Sequence, residues 1–210
     1  MIKIEKTDIF GWESAIRGMR NPMNSWDKSD TRFENIYRNG WRMMFPLGEN
    51  DLSLMKKLVK AGSDHSKFMR MINVTTDVTA PLYWWKEYDT YKVGTVANSC
   101  STMHKIHDKE FTLDDFSHEH LAPIVIDHLN QTIDILNFYR SIYIENKSKS
   151  PWWQMIQLLP SSYNQKRTIQ INYAVLRNMY HARKNHKLDE WHTFCEWVES
   201  LPYAELITND

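Results

Sequence analysis

The sequence predicts an α+β fold in which helices dominate and the sheet is small and either mixed or antiparallel. Apolar residues recur at helical spacing from Asn50 and again through most of the chain beyond Asp114, whereas only two segments have the composition of strands. The chain has 210 residues, with no internal repeat and no Pro- or Ser-rich linker. This is the size of one domain, so we predict a single domain over residues 1–210.

The N-terminal part predicts one strand and two helices. Residues 1–6 alternate apolar and charged side chains, which is typical of a strand. Apolar residues at helical spacing follow Gly11, and the helix that they predict ends before Pro22. A second amphipathic helix begins near Asn50, and Gly62 ends it.

The centre of the chain is rich in β-branched and aromatic residues. Residues 68–81 (FMRMINVTTDVTAP) predict a strand, because such side chains pack well on a pleated surface. Pro81 ends or bends this strand, since it lacks the N–H group that a sheet needs. The following residues 82–88 (LYWWKEY) predict a helix.

The C-terminal half predicts four helices. The first is a long core helix within residues 116–147, whose apolar residues recur every three or four positions over many turns. The next begins with Ser150 as N-cap and Pro151 in its first turn. Helical spacing also marks residues 165–186 and, at the end of the chain, residues 188–201.

The charges of the chain are balanced, with 26 Lys and Arg residues against 26 Asp and Glu residues. Such a chain has no overall field that attracts nucleic acid or an anionic membrane. No apolar run approaches the roughly 20 residues of a membrane-spanning helix, and charges interrupt the N-terminal segment where a signal peptide is apolar. The only cysteines, Cys100 and Cys195, are far apart. We expect a cytoplasmic protein with free thiols and with neither nucleic acid nor membrane as partner.

Nine histidines raise the question of a metal site. The closest pairs are His104 with His107 and His118 with His120. A zinc site needs three or four converging ligands, and neither pair has a Cys or carboxylate partner at the usual spacing. We therefore predict no metal. The motifs G-x-S-x-G, G-x-G-x-x-G and the P-loop are also absent.

Residues 91–104 (YKVGTVANSCSTMH) present small hydroxyl, amide and thiol side chains directly after the aromatic segment. Hydroxyls, backbone amides and a lysine can hold a phosphate without a glycine-rich loop. The residues able to do so are Lys92, Thr95, Ser101, Thr102 and Lys105. The alternative is a polar turn that leads into a helix, and the residues alone leave both interpretations open.

The two cysteines differ in their surroundings along the chain. Cys100 has Lys92, His104 and Lys105 close in sequence, and such groups lower a thiol pKa if they converge on it. Without that convergence, Cys100 is an inert small side chain. Cys195 lies on the apolar face of the last predicted helix, so we predict that it is a core residue.

Two stretches resemble the flavin-dependent thymidylate synthases, the ThyX family. Residues 159–183 (LPSSYNQKRTIQINYAVLRNMYHAR) resemble the family's stretch from Leu-Pro to an Asn and then to LRHFLELR. Residues 77–104 resemble its HVKAPIFVARQWxRHRxASxNExSxRY motif, with Ala80 and Pro81 on the Ala-Pro. The resemblance covers roughly residues 50–105 and 158–200, with a weaker match near Arg17.

The arginine signature of the family is replaced in this chain. Its Arg-His-Arg corresponds to Thr90, Tyr91 and Lys92, its serine to Cys100, and its following arginine to Thr102. Thr and Tyr do not reproduce the bidentate, permanently charged grip of arginine on phosphate. A nucleotide must therefore be held differently from the way in which the family holds it.

The resemblance also implies which residues form the site. It assigns flavin contacts to six positions: Ser66, Thr90, Tyr91, Lys92, Asn172 and Asn178. It assigns nucleotide contacts to four positions: Cys100, Ser101, Thr102 and Arg183. Cys100, as a nucleophile toward a pyrimidine ring, and Arg183 are the catalytic candidates.

Family members are homotetramers that transfer a methylene group from a reduced folate to dUMP, while FAD relays a hydride from NADPH. The resemblance thus implies a homotetrameric, FAD-dependent thymidylate synthase-like protein of dTMP biosynthesis. The alternative is a catalytically inactive ThyX-like scaffold with a binding or regulatory role, in which the aromatic residues 82–88 and 150–155 form interfaces. A small-molecule transferase with an unrelated helical fold is the third interpretation.

Overall fold

The computed structural model describes residues 2–33 and 46–209. Within these ranges it has eight α-helices and four strands, which confirms the predicted α+β fold. In chain order these elements are β1 (Lys3–Phe10), α1 (Trp12–Arg20), α2 (Glu49–Lys60), β2 (Asn73–Pro81), α3 (Leu82–Tyr88), β3 (Thr95–Ser99), α4 (Pro123–Asn146), α5 (Lys149–Leu158), β4 (Asn164–Asn172), α6 (Tyr173–Arg183), α7 (Asp189–Glu199) and α8 (Glu205–Thr208).

The strands form one antiparallel sheet in the order β1-β2-β4-β3. The β3–β4 pair shows its direction. The backbone N–H of Cys100 donates to the carbonyl of Lys166 over 2.9 Å, and Asn172, further along β4, donates to the carbonyl of Gly94. Residue numbers therefore rise in opposite directions along the two strands, and β3 is an edge strand of the sheet.

The chain divides into two compact units. The first contains Thr76–Lys92, Ala97–Ile169 and the start of β1, and α4 and α5 pack together within it. Its apolar core consists of Ile106, Phe111, Phe116, Leu129, Ile133, Leu136 and Met155. The single-domain expectation stays a prediction.

The second unit contains the described residues of Thr7–Thr75 and Gln170–Asp210, together with Val93–Val96. The Trp12 ring contacts the rings of Tyr173 and Tyr203 edge-on, each at 5.3 Å between ring centres. Such edge-to-face pairs add to the energy of burial itself. Cys195 is 5% exposed, which confirms that it is a core residue.

A buried ion pair also stabilises the second unit. The Arg20 guanidinium donates to Asp51 through Nε at 2.7 Å and Nη2 at 2.6 Å, and both residues are under 5% exposed. The other carboxylate oxygen of Asp51 accepts from the hydroxyls of Ser29 and Thr31 and from two backbone N–H groups. This many partners compensate for removing both charges from water.

Several predicted elements are confirmed with small shifts in their ends. The first strand extends to Phe10, α1 ends at Arg20 before Asn21 and Pro22, and β2 ends at Pro81. The positive φ of Gly62, at 101°, follows the end of α2, as expected for a residue that stops a helix.

The prediction of a long core helix is wrong for most of α4. Only Leu129, Ile133 and Leu136 are buried, whereas Ile124 is 78% and Phe138 is 60% exposed. The apolar residues of α4 are spread around the helix, so one stripe packs and the others remain exposed.

Three further predictions are corrected. The N-cap of α5 is Ser148 rather than Ser150. The helix predicted over residues 165–186 begins only at Tyr173, because the preceding residues alternate in burial and form β4. The alternative of a polar turn that leads into a helix is also wrong for residues 91–104, because they contain the edge strand β3 and the next α-helix, α4, begins only at Pro123.

Candidate ligand-binding site

Cys100 lies directly after β3, and β4 holds its backbone on both sides. Its N–H donates to the carbonyl of Lys166 over 2.9 Å, and its carbonyl accepts from the side-chain amide of Gln165 over 2.8 Å. The Cys100 thiol is exposed. The backbone position of a reactive type of side chain is thus fixed, while the thiol remains accessible.

A chain of polar contacts leads from Gln165 to the end of α3. Arg167 donates through Nε to the Gln165 side chain over 3.0 Å and through Nη1 to Asp89 over 2.8 Å. Its guanidinium lies 4.2 Å from the centre of the Trp85 ring, and Trp85 donates through Nε1 to the backbone carbonyl of Gln165. No sequence pattern indicated this network, since Gln165 and Arg167 resemble solvent-facing helix residues.

A cavity of about 660 Å³ opens beside Cys100. Cys100, Ser101 and Thr102 line it as three consecutive residues, and Lys105 and Tyr163 lie in its wall. The volume is within the range of about 300–1,000 Å³ that is typical of small-molecule sites. The structure therefore brings together the predicted nucleotide contacts of this segment, and their role as ligands stays a prediction.

Two titratable groups in this cavity are shifted by their neighbours. Burial raises the pKa of Tyr163, and the nearby acidic groups, first of all Asp115, raise it further. The hydrogen bond to Asp77 raises the pKa of Lys166. At neutral pH the cavity therefore contains a protonated phenol, which can donate a hydrogen bond, and a charged ammonium group.

A smaller cavity of about 280 Å³ lies in the second unit. Its lining includes Ser66 and Asn178, two of the predicted flavin contacts, beside Arg70, Arg177 and His181. Arg177 and His181 both hydrogen-bond the carbonyl of Ile207. The positively charged side chain of Arg177 thus lines this cavity and also contacts the C-terminal residue Ile207.

Asn172 has a structural role. Its side-chain oxygen accepts from the backbone N–H of Val175 over 3.1 Å and so caps the N-terminus of α6. Its amide nitrogen donates to the carbonyl of Gly94 over 3.4 Å. Gly94 has a positive φ of 81°, and a Cβ atom there would lie 3.0 Å from that amide nitrogen. Only glycine fits this close approach without strain.

The remaining predicted site residues lie elsewhere. Thr90 bonds the carbonyl of Glu87 through its hydroxyl at the end of α3, and Lys92 is exposed. As far as the described residues show, Thr90, Tyr91 and Lys92 line neither of the two cavities. Arg183, at the end of α6, lies with its guanidinium 5.0 Å from the centre of the Trp191 ring. In this position Arg183 makes a cation–π contact.

The parts of the chain that the structure describes contain no group of three or more His, Cys, Asp or Glu side chains able to hold a metal. Over the same residues, no helix is both long and apolar enough to cross a bilayer. His107 packs against the Tyr143 ring at 4.7 Å between ring centres, and His118 bonds the carbonyl of Phe116.

No protein-family model and no curated protein matches the chain. Solved structures do match it. A crystal structure of thymidylate synthase X (ThyX) from Helicobacter pylori with FAD and dUMP superposes with a TM-score of 0.68 at 14% identity, over 99% of this chain and 97% of that chain. A second structure of the flavin-dependent thymidylate synthase ThyX from Helicobacter pylori, complexed with FAD and dUMP, gives 0.69 at 15% identity over 98% and 97%. The chain therefore has the ThyX fold.

Proposed function

We propose that this chain, which has the ThyX fold, binds a pyrimidine ligand in the cavity beside Cys100, with the base of dUMP as its type. The observation that supports this is the lining of the cavity by Cys100, Ser101 and Thr102, with their backbone fixed by β4. Hydroxyl, amide and phenol groups of this kind match the carbonyl, N–H and hydroxyl groups of a pyrimidine nucleoside. The similar Helicobacter pylori ThyX was crystallised with dUMP.

A flavin is the second ligand in this proposal, and the Ser66–Asn178 cavity is its site. Arg70, Arg177 and His181 in that cavity are suited to an anionic group such as the pyrophosphate of FAD. The cavity volume of about 280 Å³ is at the lower end for small-molecule sites, so it holds one part of an FAD molecule. When bound, a flavin supplies hydride-transfer chemistry.

In the catalytic form of the proposal, Cys100 is the nucleophile. Its sulfur bonds to C6 of the pyrimidine ring, and the electrons of the C5–C6 double bond move to C5. C5 then bonds the methylene carbon that a reduced folate carries and loses its proton to solvent, and the folate nitrogen leaves with the electrons of its bond to that carbon. A hydride that originates from NADPH adds to the resulting exocyclic methylene, the C5–C6 double bond re-forms, and the sulfur leaves C6, which gives a methylated pyrimidine. Arg183 is the second catalytic candidate in this form.

The ligands are tested by titration of the purified full-length chain. Isothermal titration calorimetry with deoxyuridine and dUMP measures binding beside Cys100, and the visible spectrum after incubation with FAD and gel filtration measures flavin uptake. We expect saturable pyrimidine binding that Cys100→Trp abolishes, because the large ring fills the cavity, and that Cys195→Ser leaves unchanged. A chain that binds neither pyrimidine and takes up no flavin would contradict the proposal.

A non-catalytic scaffold is the second candidate, and the positions of Thr90 and Lys92 favour it. They replace two of the family's arginines, yet within the described residues they line neither cavity. The variant Arg183→Ala discriminates between the two candidates. If it leaves every ligand affinity and any dTMP formation unchanged, the scaffold reading gains support. If it reduces ligand affinity with no loss of stability, Arg183 belongs to a ligand site.

We also propose a homotetramer. In this proposal, part of the interface between subunits is formed by exposed apolar side chains of α4 and α5. These are Ile124, Ile135, Phe138, Ile144 and Trp153. Exposed apolar side chains in such numbers are typical of subunit interfaces. Multi-angle light scattering of the wild type should give about four times the chain mass of 25.1 kDa, whereas Phe138→Glu with Ile135→Glu should give a smaller species.

A further inference from the structure

We infer that the ligand of the Cys100 cavity is uncharged, a pyrimidine nucleoside or free base rather than a nucleotide that carries a phosphate dianion. This inference rests on the proposed function, and it specifies the chemical class of the ligand at the same cavity.

The lysines of the cavity are already paired with carboxylates. The ammonium of Lys105 lies 3.0 Å from Asp108, and that of Lys166 lies 3.0 Å from Asp77. Lys109 pairs with Asp115. The fourth lysine in the lining, Lys3, lies 2.8 Å from Glu5. Each cation that faces the cavity therefore has an anion at contact distance.

Two of these carboxylates, Asp77 and Asp115, are held in place independently of the lysines. Asp77 accepts a 2.6 Å hydrogen bond from the Thr168 hydroxyl, and its side chain is 13% exposed. Asp115 is 9% exposed and accepts from the backbone N–H of Thr112 over 2.9 Å. A lysine side chain can rotate toward a bound phosphate, but Asp77 and Asp115 stay where they are, close to the ligand. The rotation therefore does not change the net charge around the ligand.

The lining itself is close to neutral. Its ionisable residues other than Cys100 and Tyr163 are the four lysines and three aspartates, Asp108, Asp114 and Asp115. A phosphate dianion is attracted by the lysines and repelled by the carboxylates paired with them, so the two effects oppose each other. A permanently charged, bidentate group is absent, because the lining contains no arginine among the described residues.

An uncharged ligand finds suitable partners in the same lining. Thr79, Ser101, Thr102, Tyr163, Asn164 and Gln165 supply neutral donors and acceptors. The phenol of Tyr163 stays protonated at neutral pH and donates. A pyrimidine base presents carbonyl and N–H groups, and its sugar presents hydroxyls. These groups require no compensating charge when they leave water, provided that each is hydrogen-bonded.

The experiment compares deoxyuridine with dUMP by calorimetry on the wild-type chain, at low and at high salt. We expect deoxyuridine to bind at least as tightly as dUMP, with little change between the two salt concentrations. If dUMP binds about tenfold more tightly, a difference of about 1.4 kcal/mol, and salt weakens it strongly, the inference is overturned while pyrimidine binding stands. If neither binds, the inference fails together with the proposed function.

Two variants change the charge of the lining without removing a hydrogen bond that shapes it. Asp108→Asn removes the partner of the exposed Lys105, and Asp114→Asn removes a second exposed carboxylate of the lining. Each should raise dUMP affinity about tenfold and leave deoxyuridine affinity unchanged. Thr193→Arg, at an exposed position of α7, raises the charge of the chain by the same amount outside the cavity and should change neither affinity. Unchanged dUMP binding in both cavity variants would overturn the inference, because the charge of the lining would then not set the specificity.

Discussion

The side-chain amide of Gln165 donates a hydrogen bond to the carbonyl of Cys100 over 2.8 Å, and the side-chain oxygen of the same amide accepts from Arg167. Gln165 is 8% exposed. One amide thus connects the segment that carries the thiol to an arginine stacked on Trp85. The position of Cys100 depends on β4 as much as on its own strand.

Replacing that amide should loosen the Cys100 segment. Gln165→Leu leaves the Cys100 carbonyl without its donor and should lower the free energy of unfolding by about 1–2 kcal/mol, measured by urea denaturation. We also expect faster alkylation of Cys100. Gln170→Leu is the matched control, because the Gln170 amide makes a long contact of 3.5 Å with Asn73 among the described residues. Equal effects of the two substitutions on the alkylation rate would refute a positioning role for Gln165.

The two thiols should react very differently in the folded protein. Cys100 is exposed, whereas Cys195 is buried, and burial raises the pKa of the Cys195 thiol to about 11. A raised pKa lowers the thiolate fraction at pH 8, and only the thiolate is nucleophilic. Ellman's reagent should therefore titrate one thiol per native chain and two in guanidinium. Cys100→Ser should leave no reactive thiol in the native state. A Cys195 that reacts in the native state would contradict the prediction, because it would show that the buried face of α7 becomes exposed to solvent.

Asn172 should stabilise the folded chain even when no flavin is bound. Asn172→Ala removes the N-cap of α6 and should cost about 1 kcal/mol in flavin-free protein. Asn172→Asp keeps the acceptor for Val175 N–H and places a negative charge at a helix N-terminus, so it should cost less. If both variants have wild-type stability and differ only in flavin uptake, Asn172 acts on the cofactor instead.

The Arg20–Asp51 pair should make the free energy of unfolding depend on pH in the acidic range. Burial opposes ionisation of Asp51, but hydrogen bonds from Thr31, Ser29 and Arg20 outweigh it and hold the pKa below its usual value. A depressed native pKa contributes stability above the unfolded pKa of about 3.9, and this contribution is lost as the pH falls through the native pKa. The free energy of unfolding of the wild type should therefore decrease below about pH 4.

Removing one partner of this pair tests the same point at neutral pH. Asp51→Asn leaves the Arg20 charge buried without its partner and should cost about 3–5 kcal/mol. Its stability should then change less than that of the wild type below pH 4. Asp27→Asn, at an exposed carboxylate, should match the wild type at every pH. Parallel pH profiles of Asp51→Asn and the wild type would contradict the assigned role.

Local pattern in the sequence was sufficient for the elements whose burial follows one regular face. The amphipathic period identified α2 and α7, the Asn21-Pro22 pair located the end of α1, and the break at Pro81 separated β2 from α3. It failed for residues 164–172, because a strand that alternates Gln, Arg and Ile resembles a polar helix as long as its sheet neighbours are unknown. It also failed for the packing of α4, whose apolar residues do not select one face.

The site divides in the same way. The residue types in 91–104 and the resemblance to ThyX were sufficient to identify Cys100, Ser101 and Thr102 as candidate ligands and to show that the arginines are missing. Which groups join them was decided only by the pairing of β3 with β4, which brings Gln165 and Lys166 to Cys100. A hydrogen bond between residues 65 positions apart, that of Gln165 with Cys100, leaves no periodic trace in the chain. The sequence by itself thus determined the fold class and the thiol, and the tertiary structure decided the charge balance around it.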